Sequence, residues 1–396
     1  MKRVLLHFAL FVALATAGGL LYAWSGLYHI GASSGHWAIT RAILDLAMTS
    51  SIRTHSLGIE PPPLDDVALI ERGAGHFWQG CEPCHGAPGR PRGAVVRQMV
   101  PLPPYLPDTV DDWEVRELFW IVKHGLKYTA MPGWASQARD DEVWAVVAFL
   151  LRLPGISAAE YLALSGGAAD PAAGKERPGI SQLPPVPEDA AEALENCRRC
   201  HGLDGMGRNS GAFPRIAGQN AGYLRLALQA YADGRRASGI MEPAAAPLSD
   251  REIRELADYY AAIPLPAEPA LAEPDDPAAV ERGGRIAAAG APDRDVPACI
   301  ACHGLDAPPP NDNYPLLAGQ HPGYLANQLR LWRARQRGGS PQAQIMEKVA
   351  ERLTDRQILD VAQFYSTLRP RRSQLDDEQG SRPTTAPSPA PDPASR

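Results

Sequence analysis

The sequence predicts an all-α chain in which three small helical domains follow an N-terminal apolar helix. Apolar residues recur at helical spacing in several segments, such as residues 140–152 and 353–365. No segment shows a convincing alternation of apolar and polar residues, which a half-buried strand would require. One pentapeptide, Cys-x-x-Cys-His, occurs three times and divides the chain into three comparable parts.

The first predicted element is an apolar helix at the N-terminus. Lys2 and Arg3 precede an apolar run from Val4 to Trp24, which is about the length that crosses a bilayer. A cleaved signal peptide is the alternative, because Ala15-Thr16-Ala17 resembles a signal-peptidase site. The run stays apolar beyond that point, which favours an uncleaved anchor over residues 1–30. Its positive residues place the N-terminus inside, so we expect a single-pass protein of the bacterial inner membrane with its domains in the periplasm.

Residues 31–65 are predicted to be a juxtamembrane amphipathic segment. Trp37, Ile39, Ile43, Leu44 and Leu46 alternate with polar and basic residues at helical spacing. The simpler interpretation is that this helix packs against the first domain. The alternative is a docking surface for a membrane partner or for lipid headgroups.

Proline-rich stretches divide the rest of the chain. Prolines concentrate between the repeated motifs, as they do in linkers, and the C-terminal tail has almost no large apolar residue, which predicts disorder. The predicted boundaries are residues 66–154 for domain 1, 155–187 for a linker, 188–264 for domain 2, 265–277 for a second linker, 278–370 for domain 3 and 371–396 for a disordered tail.

Domains 2 and 3 are predicted to share one fold, because they align almost without gaps. Phe213-Pro-Arg-Ile-Ala-Gly-Gln219 matches Tyr314-Pro-Leu-Leu-Ala-Gly-Gln320. Each domain ends in an amphipathic helix, and Ser249 and Thr354 are predicted to cap these helices through capping boxes with Glu252 and Gln357. The predicted core faces are Ile253, Leu256, Ala257 and Tyr260 in domain 2, and Ile358, Val361, Ala362 and Tyr365 in domain 3.

Domain 1 is a variant of this plan with three predicted helices, at residues 69–79, 111–124 and 140–152. The predicted core positions are Trp113, Val115, Leu118 and Val122 on the second helix, and Val143, Val146, Val147 and Leu150 on the third.

All six cysteines belong to the repeated pentapeptide. The copies are Cys81-Glu-Pro-Cys84-His85, Cys197-Arg-Arg-Cys200-His201 and Cys299-Ile-Ala-Cys302-His303. This is the attachment pattern of c-type haem, in which two thiols bind the vinyl groups of one porphyrin edge and the histidine binds the iron. A thioredoxin-like pair needs a strand–helix junction, a structural zinc site needs two more ligands per metal, and disulfides do not explain the histidines. The sequence therefore predicts three covalent haem c groups.

The sixth ligand of each iron is predicted to be a methionine. Met131, Met241 and Met346 each precede the last helix of a domain and follow the haem histidine at a similar offset. A thioether ligand raises the potential of haem iron. His124 could replace Met131, and Met99 and Met206 are weaker competitors. We expect His36, His55, His76 and His321 to be surface residues rather than ligands.

With these motifs, residues 190–368 resemble the dihaem cytochromes c of the "c-four" kind, and residues 66–152 resemble a class I monohaem cytochrome c. The whole chain is similar to membrane-anchored trihaem cytochromes c. The resemblance implies three tandem class I cytochrome c domains. It also implies that the backbone of Pro214 and Pro315 orients the haem histidines. One departure is Leu305-Asp-Ala-Pro-Pro-Pro, where the family usually has a glycine-rich loop.

The function predicted from these features is electron transfer rather than catalysis. The net charge of −6 gives no basic footprint for nucleic acid, and no paired carboxylates or Ser/His/Asp set stands out. We expect a relay in a respiratory chain, with a quinol-oxidising complex or dehydrogenase as donor and a terminal oxidase as acceptor. The alternatives are a cytochrome subunit of a membrane-associated periplasmic dehydrogenase, and a haem enzyme or gas sensor with one open iron.

Overall fold

The computed structural model describes residues 2–166, 183–209, 211–265, 276–305, 309 and 311–370. Every regular element within these ranges is a helix, and extended backbone pairs only at two isolated bridges. The predicted all-α class is confirmed. Three separate hydrophobic cores define three helical units, which we call unit 1, unit 2 and unit 3.

Two helices precede unit 1, α1 (Lys2–Trp24) and α2 (Ala38–His55). Helix α1 has a mean hydropathy of 2.2 and could cross a membrane by length and composition, a test that a signal sequence also passes. The C-terminal end of α2 packs on unit 1, where Ile52 is buried and Arg53 pairs with Glu117 at 3.7 Å. The apolar residues in the N-terminal half of α2, such as Ile39 and Ile43, are exposed.

Unit 1 is built around a close crossing of two helices. A Cβ at Gly73 would overlap the carbonyl oxygen of Ala145, so only glycine allows the two backbones to approach this closely. The rings of Phe77 and Phe149 lie 5.2 Å apart beside the crossing. The helices of unit 1 are α3 (Val67–Gly80), α4 (Glu82–His85), α5 (Leu106–Thr109), α6 (Val115–His124), α7 (Asp140–Leu150) and α8 (Ala158–Ser165).

Unit 2 ends in the amphipathic helix that the sequence predicts. Ser249 caps this helix through a capping box with Glu252, because the serine side chain accepts from Glu252 N–H while the glutamate accepts from Ser249 N–H. The predicted face is buried from Ile253 to Tyr260. The helices of unit 2 are α9 (Ala191–His201), α10 (Ala221–Ala232), α11 (Met241–Ala245) and α12 (Asp250–Ala262).

Unit 3 repeats the plan of unit 2 and also the crossing of unit 1. Thr354 and Gln357 form the predicted capping box. A Cβ at Gly283 would overlap the carbonyl oxygen of Asp360, as at the crossing of α3 and α7. The helices of unit 3 are α13 (Pro277–Ala289), α14 (Ile300–His303), α15 (Pro322–Arg333), α16 (Ala343–Arg352) and α17 (Asp355–Thr367).

The predicted linkers and tail fall largely outside the described residues. Residues 167–182 of the first linker, 266–275 of the second and 371–396 of the tail are not described, nor are 306–308 and 310 of the departing loop. The first linker nevertheless begins with α8, which belongs to the core of unit 1. Its residue Tyr161 is completely buried and donates a hydrogen bond to Glu82.

Candidate haem-binding sites

Each unit presents its Cys-x-x-Cys-His histidine as the last residue of a helix. These residues are His85 in α4, His201 in α9 and His303 in α14. The glycine that follows has a positive φ of 69°, 83° and 67°, respectively. Glycine adopts this conformation without steric cost, so the chain turns away at once and leaves the imidazole at the helix end.

A proline carbonyl orients each of the three imidazoles. His85 Nδ1 lies 3.0 Å from the carbonyl oxygen of Pro104, His201 Nδ1 lies 3.1 Å from that of Pro214, and His303 Nδ1 lies 3.1 Å from that of Pro315. Nδ1 therefore carries the proton, and Nε2 remains as the nitrogen that can bind a metal. The sequence indicated Pro214 and Pro315 through the repeated Pro-x-x-Ala-Gly-Gln element. Pro104 was missed because unit 1 lacks that element.

Burial keeps the predicted ligand groups neutral. It lowers the pKa of His85, His201 and His303, and the bonds to the proline carbonyls offset this effect only in part. Burial also raises the pKa of the Cys81 and Cys197 thiols to about 12. An apolar pocket with a neutral imidazole and a thiol pair suits an uncharged porphyrin face and neutral thioethers.

The three predicted axial methionines occupy different local settings. All three are half-buried. Met131 lies in the loop after α6, where its N–H donates to Thr129 Oγ1 at 3.0 Å. Met241 is the first residue of α11, and Met346 lies within α16. Of the competing methionines, Met206 is buried in the core of unit 2 and Met99 ends a short 3₁₀ turn after α4.

Two histidines that we expected at the surface are buried, and that expectation was wrong for them. His76 lies in α3 with 5% of its surface exposed, and His321 lies at the start of α15 with 7% exposed. The ring of His76 lies 6.1 Å from that of Trp134 in the same unit, whereas His321 lies beside Arg215 and Met206 of unit 2, and a sequence pattern reveals neither contact. His36 and His55 are exposed as expected, and so is His124, whose ring lies 5.1 Å from Trp120.

A cluster of arginines and tyrosines lies between units 2 and 3. The guanidinium groups of Arg236 and Arg337 are almost fully buried, and Tyr223 O–H lies 3.0 Å from Arg337 Nη2. Burial alone would raise the pKa of Tyr223, but the two guanidinium groups outweigh it and lower the pKa to about 8. Arg236 also reaches Tyr324 and Gln328.

This cluster tests whether the residues fit a haem. In the described part of the chain, neither arginine has a carboxylate within ion-pair distance, and Arg337 Nε has no hydrogen-bond partner. Buried cations require anionic partners. Haem carries two propionate carboxylates, and Arg236, Arg337 and the neighbouring tyrosines would hold such groups. The residues present therefore fit the cofactor.

Two glutamines join units 2 and 3 by a reciprocal exchange. Gln219 Nε2 donates to Leu316 O at 3.0 Å, and its Oε1 accepts from Leu316 N–H at 2.7 Å. Gln320 makes the same pair of bonds with Arg215, at 2.8 Å to the carbonyl and 2.9 Å from the N–H. Each contacted residue directly follows a histidine-orienting proline, so each glutamine supports the haem site of the other unit.

Unit 1 touches the haem motif of unit 2. The Arg199 guanidinium, between Cys197 and Cys200, lies 3.7 Å from the centre of the Trp78 ring. Trp78 lies shortly before Cys81 in the chain. Arg208 donates to the carbonyl of Leu164 in α8 at 3.0 Å. The Cys-x-x-Cys-His segments of units 1 and 2 are thus brought together by packing.

Comparison with known proteins identifies cytochrome c sequences in units 1 and 2. A family model described as "Cytochrome C oxidase, cbb3-type, subunit III" matches residues 68–150, and one described as "Cytochrome c" matches residues 188–262. The solved structure of cytochrome c4 from Acidithiobacillus ferrooxidans is 33% identical, covers 43% of this chain and 98% of its own, and gives a TM-score of 0.39.

Two relatives are similar over nearly half of the chain. The "Thiosulfate dehydrogenase electron acceptor" of Stutzerimonas stutzeri is 38% identical over 45% of this chain and 82% of its own length. The "Cytochrome c4" of Thiocapsa roseopersicina is 36% identical over 45% of this chain and 91% of its own. The chain therefore belongs to the c-type cytochromes related to cytochrome c4, which bind haem c and carry electrons.

Proposed function

We propose that the chain carries three haem c groups and relays electrons along them in a respiratory chain. The observation that supports this most directly is the repeated geometry of His85, His201 and His303, each at a helix end and each bonded through Nδ1 to a proline carbonyl. Unit 3 repeats this arrangement in full, which supports a third haem.

The proposed ligand set follows from these positions. The thioether residues are Cys81 and Cys84, Cys197 and Cys200, and Cys299 and Cys302. The axial pairs are His85 with Met131, His201 with Met241, and His303 with Met346. Each bound haem supplies an iron that exchanges one electron. The protein residues hold the imidazole in its tautomer, bury the porphyrin and keep solvent away from the iron.

The contacts between units support an order in which unit 2 is central. Trp78 of unit 1 packs on Arg199 of the unit 2 motif, while Gln219 and Gln320 join the proline segments of units 2 and 3. Electrons that enter at unit 1 or unit 3 would then pass through unit 2. The same contacts serve electron flow in either direction.

We further propose that α1 anchors the protein in the bacterial inner membrane, with the haem units in the periplasm. The length and composition of α1 support this. A variant in which a cleavable export signal replaces residues 2–24 should move from the membrane fraction to the soluble periplasmic fraction. Unchanged fractionation would contradict the anchor.

The relatives favour a dehydrogenase as the electron donor. The acceptor that we propose is a terminal oxidase. Two relatives, each 38% identical, are named as electron acceptors of thiosulfate dehydrogenase. Membership of this chain in a dehydrogenase complex is therefore the second candidate. Reduction by a purified thiosulfate dehydrogenase with thiosulfate within seconds would support a dehydrogenase as donor, and stable co-purification with a dehydrogenase subunit would support the second candidate. Reduction only by a quinol-oxidising complex would favour that complex as the donor.

The central experiment is a haem count followed by a redox titration of the detergent-solubilised holoprotein. Three haems with methionine–iron charge-transfer absorption, all inert to carbon monoxide, would support the relay. The double variant Cys299→Ala/Cys302→Ala should lose one haem only. Carbon monoxide binding by the unaltered reduced protein would instead favour a haem enzyme or gas sensor.

The methionine assignments need single variants. Met131→Ala, Met241→Ala and Met346→Ala should each open one iron to carbon monoxide, whereas Met99→Ala is the matched control and should open none. A variant that keeps all of its methionine–iron absorption would refute that ligand.

A further inference from the structure

The loop that presents Met241 is held from outside its own unit. Ser238 is almost completely buried, and its Oγ donates to Glu142 Oε1 at 2.6 Å. Gly239 N–H donates to Glu142 Oε2, also at 2.6 Å. Glu142 belongs to α7 of unit 1 and lies 96 residues away from Ser238 in the chain.

Ser238 also hydrogen-bonds the backbone of Met241. While Ser238 Oγ donates to Glu142, it accepts from Met241 N–H at 3.0 Å. It also accepts from Ile240 N–H at 3.3 Å. A hydrogen-bonded chain therefore runs from the Glu142 carboxylate through one hydroxyl to the peptide N–H of Met241. Bonds to a charged acceptor are stronger than neutral ones, which makes this a firm attachment.

The carboxylate itself is fixed within unit 1. Glu142 is 5% exposed, Arg139 Nη1 lies 2.9 Å from its Oε1, and Trp134 Nε1 donates to its Oε2 at 3.3 Å. Arg139 also donates to the carbonyl of Ala237 at 2.7 Å. Unit 1 thus holds the loop by hydrogen bonds at three consecutive residues, from Ala237 to Gly239.

These contacts also join the loop that contains Met131 to the loop that precedes Met241. Trp134 lies in the same loop as Met131, between α6 and α7, and a Cβ at Gly239 would overlap its indole ring. Gly239 is therefore required for the indole to rest on the backbone next to Met241. By contrast, the N–H of Met131 is bonded inside its own loop, by Thr129.

We infer that unit 1 sets the position of the sixth iron ligand in unit 2, with Glu142 and Ser238 as positioning residues for Met241. The inference rests on the proposed assignment of Met241 as a ligand. It means that the potential of the unit 2 haem depends on the docking of the unit 1 domain, so that the relay is tuned only in the complete chain.

The test uses the full-length holoprotein and the variants Glu142→Gln and Ser238→Ala. Both should keep three haems and leave the potential of the unit 3 haem unchanged, because the bonds of Glu142 and Ser238 run to the Met131 and Met241 loops and not to Met346. Ser238→Ala should also leave the potential of the unit 1 haem unchanged, because its bonds run to Glu142 and to its own loop. Both should lower the potential of the unit 2 haem and make a measurable fraction of it bind carbon monoxide. The unit 2 haem is identified as the one altered in Met241→Ala.

Asp141→Asn is the matched control. Asp141 adjoins Glu142 and accepts bonds from Arg139 and from Asn327 of unit 3, so it belongs to the same buried network without touching the Met241 loop. The control should leave the unit 2 haem unchanged. Equal effects of Asp141→Asn and Glu142→Gln would overturn the inference and indicate general loosening of the interface.

The outcomes separate this inference from the proposed function. If Met241→Ala leaves the spectrum unchanged, Met241 is not a ligand; this inference and the Met241 assignment then fall, while the relay is judged by the haem count and the redox titration. If Met241→Ala opens the iron while Glu142→Gln and Ser238→Ala keep the native potential, only the positioning role is refuted. Because Ser238→Ala removes a single oxygen atom, it remains informative even if the glutamate variant does not fold.

Discussion

Replacement of Gln320 by alanine should weaken the joint between units 2 and 3. The residue is 7% exposed, and its side chain makes two hydrogen bonds to Arg215, 2.9 Å from its N–H and 2.8 Å to its carbonyl, and accepts a third from His321 N–H at 3.0 Å. Alanine can form none of these bonds, and the buried His321 N–H would lose this acceptor.

The magnitude follows from the number of bonds and their burial. Three hydrogen bonds contribute about 1 kcal/mol each, and a buried group left without a partner costs about 1–3 kcal/mol. Release of the glutamine side chain returns about 1.5–2 kcal/mol of conformational entropy. We therefore expect a net loss of about 2–4 kcal/mol in the free energy of unfolding.

The assay is thermal unfolding of the holoprotein, followed by circular dichroism in the haem Soret band. A loss of 1 kcal/mol should lower Tm by roughly 2–4 °C for a folding unit of this size. The control is Gln357→Ala, since Gln357 is a half-buried capping-box residue of the same unit whose bonds to Thr354 are exposed to solvent. Its loss should be below about 1 kcal/mol, because water replaces its bonds.

A second readout connects the joint to the haem site. The peptide group between Pro214 and Arg215 accepts from His201 through its carbonyl and donates to Gln320 through its N–H. Removing Gln320 should therefore also shift the potential of the unit 2 haem, whereas Gln357→Ala should not. Equal Tm values and equal potentials for the two variants would refute the reasoning.

Further predictions concern the helix crossing and the dependence on pH. Gly73→Ala should lower the free energy of unfolding by about 1–3 kcal/mol, because a Cβ overlaps backbone at Ala145. In the control Gly80→Ala the added Cβ meets open space, so the free energy of unfolding should rise by up to about 1 kcal/mol. Equal urea midpoints for the two variants would contradict the close helix crossing at Gly73. Burial lowers the pKa of His321 to about 4 in the folded protein, so stability should be full above pH 6.5 and fall as the pH drops towards 4. When the pH falls from 7 to 5, the free energy of unfolding of His321→Gln should decrease by about 2 kcal/mol less than that of the unaltered protein. Tm values that change with pH in parallel for the two proteins would exclude this role of His321.

The chemistry of the sites was largely readable from the sequence. Two thiols and a histidine at fixed spacing have few other uses, so the haem pattern is local and needs no tertiary information. The helices of units 2 and 3 were predictable for a similar reason. Capping boxes at Ser249 and Thr354 and the apolar faces behind them are local signals that tertiary packing did not override.

Predictions failed where the decisive contacts join residues that are not neighbours in the sequence. His76 and His321 carry no local mark that distinguishes them from surface histidines, yet both are buried, His76 beside Trp134 of its own unit and His321 beside Arg215 of unit 2. Helix α8 was placed in a linker because Pro, Ala and Gly dominate the surrounding sequence. Its single Tyr161 enters the core of unit 1 and fixes the helix there. Pro104 escaped notice since it carries no repeated element, although its carbonyl acts as those of Pro214 and Pro315 do.

The sequence by itself determined that this protein is an all-α electron carrier with repeated haem attachment motifs, because covalent attachment and helix capping depend on residues close together in the chain. The tertiary structure alone decided how the units depend on one another. Glu142 meets Ser238 across 96 residues, and Gln320 meets Arg215 across 105. Such contacts follow from which surfaces dock, and docking is set by shape and buried polar pairing that no sequence spacing encodes.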